Sequence, residues 1–198
     1  MMYLTSIIAA LMLNLASPAG YNVGDKVSDF ELKNVDGKMI KLSDYSDEKG
    51  VIVVFTCNHC PYAKAYESRI MDLDKKYASK GYPVVAINPN DPVKEPEDSP
   101  EGMIKRAKAM NYSFPYLFDA TQDVAKTFGA TRTPHIYLLQ NTPSGFKVSY
   151  IGAIDDNTDD PSAVTNKYLE NAITSLQKGE APSPNFTKAI GCTIKWKQ

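Results

Sequence analysis

Three cysteines, two histidines and one tryptophan in 198 residues leave this chain few side chains suited to metal or redox chemistry. Three cysteines are too few for a fold stapled by disulfides. An excess of charge of one sign is also lacking: 22 lysines and arginines face 23 aspartates and glutamates, a formal net charge of −1. A near-neutral chain has no broad attraction for nucleic acid or an anionic membrane surface. The basic end, Lys195-Trp196-Lys197, is too short to alter that. No internal repeat or low-complexity stretch is present, and no apolar run reaches the roughly 20 residues of a membrane-spanning helix. What remains is one ordinary globular domain, 43% hydrophobic, long enough for a single substantial core.

The longest apolar run is Ile7 to Leu13, extended by Tyr3, Leu4, Leu15 and Ala16 and followed by the small residues Ser17-Pro18-Ala19. This pattern predicts a secretory signal, residues 1–19, cleaved after Ala19, although no Lys or Arg precedes it. The alternative is an N-terminal core helix or an uncleaved anchor. No cysteine follows the run to carry a lipid. The expected organisation is an exported chain, periplasmic or secreted in a bacterium, with no stable membrane insertion after cleavage. Its domain spans 20–180, and a tail, 181–198, packs back onto it.

Asp29–Lys33 and Lys38–Leu42 read as strands joined at Asp36-Gly37, a strong hairpin signal. Val51–Phe55 and Val84–Ile87 are continuous apolar, β-branched runs, as expected of strands buried on both faces. Between them Tyr62, Tyr66, Ile70, Leu73 and Tyr77 recur at helical spacing up to the stop at Lys80-Gly81. Strand–helix–strand implies parallel pairing. The proline- and acid-rich stretch Asn88 to Pro100 reads as a solvated surface loop, and Ser99-Pro100 as a helix start. Further on, the pattern predicts a helix over Thr121–Phe128, strands at His135–Leu139 and Lys147–Ile151, and a helix opening at Asp160-Pro161 and ending at Gly179. Asp155-Asp156-Asn157 reads as a capped strand-to-helix turn. Central mixed sheet, helices on both faces and an N-terminal hairpin make this an α/β sandwich.

Two cysteines stand two residues apart in Cys57-Asn58-His59-Cys60, where a buried strand ends and a helix begins. At a helix N-terminus, free N–H groups and the helix dipole favour a thiolate. Cys57 is therefore expected at the exposed edge with a pKa of about 3.5 to 7.5 rather than about 8.5, and Cys60 deeper, resolving what Cys57 attacks. A cationic His59 stabilises the reduced thiolate more than the disulfide, shifting the couple toward about −120 to −200 mV rather than −270 mV. A solvent-exposed His59 without influence is the simpler alternative. Glu67 is a candidate proton acceptor, and no general base is named by the sequence. Cys192 reads either as a small buried residue of a terminal strand or as a third redox thiol exchanging with Cys57 or Cys60.

Phe55–Tyr62, containing the cysteine pair, and Thr131-Arg-Thr-Pro-His135 resemble the two active-site segments of a thioredoxin-fold protein. The resemblance implies that Pro134 is a cis-proline facing the cysteines and that Thr133 offers backbone groups to the substrate chain. Together with Ile151–Asn157 and Ile190–Trp196, these segments are similar to bacterial redoxin-domain proteins of the alkyl hydroperoxide reductase/thiol-specific antioxidant superfamily, in its thiol-disulfide isomerase/thioredoxin subgroup. The activity implied is thiol–disulfide exchange without a cofactor. The partners implied are protein thiols and disulfides plus a redox partner protein.

Two rival chemistries differ in what they require. Peroxiredoxins read Pro-x-x-x-Thr-x-x-Cys at the peroxidatic site. Here the Pro and Thr positions hold Val53 and Cys57 when counted from Cys60, and Gly50 and Val54 when counted from Cys57. Copper handling would draw on Cys57, Cys60 and His135, soft ligands suited to Cu(I). Copper chaperones of this fold, however, separate their cysteines by three residues. No resident metal is expected.

Overall fold

A computed structural model describes residues 20–198, so the predicted signal segment lies outside the described residues. The chain runs β1 (Glu31–Asn34), β2 (Met39–Lys41), β3 (Gly50–Phe55), α1 (Pro61–Tyr77), β4 (Val84–Asn88), α2 (Pro100–Met110), β5 (Tyr116–Phe118) and α3 (Asp123–Phe128). It continues through β6 (Arg132–Thr133), β7 (His135–Thr142), β8 (Gly145–Gly152), α4 (Tyr168–Gln177) and β9 (Cys192–Thr193). Seven strands form one sheet in the order β2-β1-β5-β4-β3-β7-β8, while β6 and β9 pair separately. β3, β4 and β5 run parallel; β7, β8 and the β1–β2 hairpin run antiparallel to their neighbours. The fold is therefore the mixed α/β sandwich that the sequence pattern implies.

Alternation along the central strands explains the two layers, because successive side chains point to opposite faces. Ile52 and Val54 of β3, with Val84 and Ala86 of β4, pack on Tyr66, Ile70 and Leu73 of α1, on Met103 of α2 and on Ile173 of α4. Val51, Val53 and Phe55, with Val85 and Ile87, point the other way, onto Ala125 and Phe128 of α3. A strand covered on both faces has to be apolar at every position, and all six residues of β3 are buried.

Two elements depart from the sequence pattern. β5 is only three residues long, between Pro115 and Asp119, too short to show a period, yet it fills the gap between β4 and β1. The helix expected from Asp160 is a single 3-10 turn at Pro161–Ala163, and α4 starts only at Tyr168. Asp156 holds the intervening chain extended by accepting the N–H groups of Thr165 and Asn166, each at 3.0 Å. These side-chain bonds compete with helix formation locally. Near the C-terminus Ile194 is buried and Trp196 packs against the α3 side of the core.

Candidate active site

β3 delivers Cys57 at the carboxyl ends of the parallel strands, the region where open α/β sheets place their crevices. The chain then turns through Asn58 and His59, and Cys60 becomes the N-cap of α1 with Pro61 in its first turn. Cys57 thus lies three residues upstream of the cap, not at the helix start. Its side chain is 6% exposed, against the exposed edge position expected. Burial first, and the negative charge of Asp98 second, push its thiol up to about 12. Hydrogen bonds from Thr133 and from the Cys60 and His59 backbone pull the other way and are outweighed. The depressed thiolate predicted from the helix dipole is corrected accordingly: the dipole's reach ends within the first turn, and burial decides.

The loop of β6 and β7 faces the cysteines. The Thr133–Pro134 peptide is cis. Thr133 Oγ1 lies 3.1 Å from Cys57 Sγ, and the Thr133 carbonyl lies 3.3 Å from Cys60 Sγ. Thr133 therefore touches both sulfurs through one residue. The bridge in this structure joins Cys60 to Cys192, across a Cα separation of 6.1 Å, and leaves Cys57 as the free thiol. Cys57, Cys60 and Ala63 form one small apolar cluster with Cys192 packed at its rim. Cys192 is accordingly neither a fully buried strand residue nor remote from the pair.

Asp98 is the functional residue the sequence reading did not find. It is fully buried inside the segment read as a solvated loop, where Asn88, Asn90 and Asp91 are buried as well. Its Oδ1 accepts the Asn58 N–H at 2.6 Å and Asn88 Nδ2 at 3.0 Å. Its Oδ2 accepts His59 Nδ1 at 2.6 Å and Asn90 Nδ2 at 2.8 Å. Tyr116 completes the network by donating to Asn58 Oδ1 at 2.9 Å. The available signal was position: polar Asn88-Pro-Asn-Asp91 follows directly on a strand that is buried throughout. His59 is only partly exposed, with Asp98 on one ring nitrogen and Glu95 3.6 Å from the other. Any positive charge there is shared with two carboxylates before it reaches Cys57. Glu67 serves elsewhere, held by Arg106 at 2.8 and 2.5 Å and by Tyr112.

Cys57, His59 and Asp98 bring possible metal-ligand atoms within 4.8 Å of one another, the group of this kind among the described residues. Both Asp98 oxygens, however, already accept two hydrogen bonds each, so this carboxylate is committed to its donors. His135 does not join the sulfurs. It lies beside Tyr137, accepts a 3.4 Å hydrogen bond from the Thr131 N–H at Nδ1, and burial lowers its pKa to about 4.

A cysteine pair between a central strand and its following helix, facing a cis-proline loop, defines the thioredoxin-fold class of redox proteins. The chain belongs to the AhpC/TSA family, whose model matches residues 23–154. A solved structure of an uncharacterized conserved protein from Geobacillus kaustophilus is 38% identical, covering 89% of this chain and 93% of that one, with a TM-score of 0.82. The thiol-disulfide oxidoreductase ResA of Oceanobacillus iheyensis is 38% identical over 72 residues, 34% of this chain and 37% of that protein. The chain thus spans little more than a third of that curated relative. A peroxidoxin from Mycobacterium tuberculosis shares the fold at 24% identity and a TM-score of 0.54, over 65% of this chain and 83% of its own.

Proposed function

We propose that the protein is a thiol–disulfide oxidoreductase whose working couple is Cys57 and Cys60. The observation that carries this reading is one residue, Thr133, in contact with both sulfurs beside a cis-proline. Oxidation of the pair joins the two sulfurs and releases two protons; the electron pair goes to a protein disulfide, which becomes two thiols. Reduction runs the same exchange backwards. The dithiol itself carries the electrons. Thr133 and Pro134 frame the two sulfurs along an edge that the tail strand at Cys192 already covers. Partners are thiol-bearing proteins on one side and a redox protein that resets the couple on the other. The apolar run at 1–19 supports action after export, in a periplasm or outside the cell, where disulfides persist.

The deciding measurement is a glutathione redox titration of the 57–60 couple combined with turnover of a protein disulfide such as insulin. A defined potential within about −120 to −270 mV is expected, with turnover abolished in Cys57→Ser. A pair that stays inert across that range sinks the reading. Stopped-flow oxidation by hydrogen peroxide separates the peroxidase alternative, since fast consumption at Cys57 or Cys60 would favour it.

A further inference from the structure

The two sulfurs of the proposed couple are nearly closed to solvent: Cys57 is 6% exposed and Cys60 0%. Cys192 sits half-buried at their rim and is bridged to Cys60. Its strand, β9, pairs antiparallel with β6, placing Cys192 opposite Thr133, the residue that touches both inner sulfurs. The approach is close enough to require glycine next door. A Cβ on Gly191 would lie 2.3 Å from the Thr133 carbonyl oxygen and 2.9 Å from Pro134 N. Arg132 donates to the Gly191 carbonyl at 2.8 Å, and beyond the cysteine Lys195 is fixed to Asn90 and Asp91 at 2.9 Å each. The tail is thus docked on both sides of its thiol.

We propose that Cys192 is a third redox residue, the outer station of a relay through which the buried Cys57–Cys60 pair exchanges with partners. The inference rests on the thiol–disulfide reading above and adds its route. In the inner step the Cys57 thiolate attacks Cys60 Sγ. The 57–60 bond forms, the 60–192 bond breaks, and its electron pair leaves on Cys192, which takes up the proton Cys57 gave up. No net oxidation occurs, so no co-reactant is needed. In the outer step a partner thiolate attacks Cys192 Sγ of the 60–192 bridge. The partner–192 bond forms, and the 60–192 bond breaks with its electron pair and a proton going to Cys60. A second partner thiolate then takes the first into a partner disulfide and releases Cys192 as a thiol. Oxidation by a partner disulfide is the same sequence reversed. The Cα separation of 6.1 Å is one that a disulfide can span.

The test is alkylation and peptide mapping of the full chain oxidised with glutathione disulfide. In the unmodified protein the single free thiol is expected to divide between Cys57 and Cys192. Cys57→Ser should hold the 60–192 bridge. Cys192→Ser should still form 57–60, but about tenfold more slowly, because the least buried of the three cysteines is gone. Label found only on Cys192 in the unmodified protein, with Cys60 and Cys192 both reduced in Cys57→Ser, overturns the relay while leaving the 57–60 couple standing. So does Cys192→Ser oxidising as fast as the parent. Failure of Cys192→Ser to form 57–60 while Cys57→Ser keeps 60–192 removes the couple itself, and with it the relay's inner station.

Discussion

Among the carboxylates this molecule buries, those beside α1 and the one beside Cys57 are neutralised differently. Beside α1, Asp155 meets the Arg69 guanidinium at 2.7 and 2.8 Å and the Tyr66 hydroxyl at 2.9 Å. Glu67, further toward the site, is likewise gripped by Arg106. Beside Cys57, Asp98 has four hydrogen-bond donors and, among the described residues, no lysine or arginine within salt-bridge distance. A guanidinium cancels a carboxylate's charge where it stands. Amide dipoles satisfy its lone pairs and leave the net charge to act on neighbours. The second arrangement is the one found next to a thiol, and its field is among the causes raising Cys57. Of these, the arginine-paired carboxylates brace the protein and Asp98 acts on a reacting atom.

The largest expected effect breaks the braced side. Arg69→Met leaves the Asp155 carboxylate, 5% exposed, without its cation and should cost about 3–5 kcal/mol in denaturant unfolding. Cys57 reactivity should stay where it was. A loss under about 1 kcal/mol would mean that Asp155 finds solvent or another partner.

Asp98→Asn is the converse experiment, with a smaller stability loss of about 1–3 kcal/mol from donors left without an acceptor. Here Cys57 should alkylate faster, about tenfold at fixed pH, because the opposing charge is gone. The thiolate is the form that reacts, and the thiol's pKa stands near 12. The parent's rate should therefore climb about tenfold per pH unit from 7 to 10 without levelling, while the variant levels earlier. The sign for folding follows: with the folded pKa raised, this thiol's contribution is intact below the unfolded value of about 8.5 and is lost as pH rises from there toward 12. A parent profile already flat by pH 8 contradicts the burial argument.

The braced side and the thiol side also differ in how far the sequence announces them. Strands β3 and β4 are legible as unbroken apolar runs, which is what a strand covered on both faces requires, and helix α1 because its period repeats long enough to be counted. The cysteine pair and Thr133-Pro134 are legible as motifs. Asp98 is not, because a proline- and acid-rich stretch looks the same whether it is solvated or folded inward. Only the positions of Asn58, Asn88 and Asn90 decide between the two, and those are set by long-range packing. The buried state of Cys57 has the same origin. Local spacing places it near a helix start, whereas its environment comes from residues 98 and 133, far along the chain. The Arg69–Asp155 pair spans 86 positions and carries no local signal either.

The smallest effect falls on His59, and its sign tests how the comparison should be drawn. His59 gives Asp98 one of its four donors and stands between that carboxylate and Glu95. If its role is to offset Asp98, then His59→Gln strengthens the field that Cys57 feels. Alkylation should slow by about threefold, the scale of a partly exposed ion pair worth under 1 kcal/mol. The potential of the 57–60 couple at neutral pH should change little, since with a pKa near 12 the reduced Cys57 is the thiol and not the thiolate. The same substitution on an Asp98→Asn background should change little, because there is no carboxylate charge left to offset. Equal slowing on both backgrounds would show His59 acting on Cys57 directly, and Asp98 would then be only the group that orients its ring.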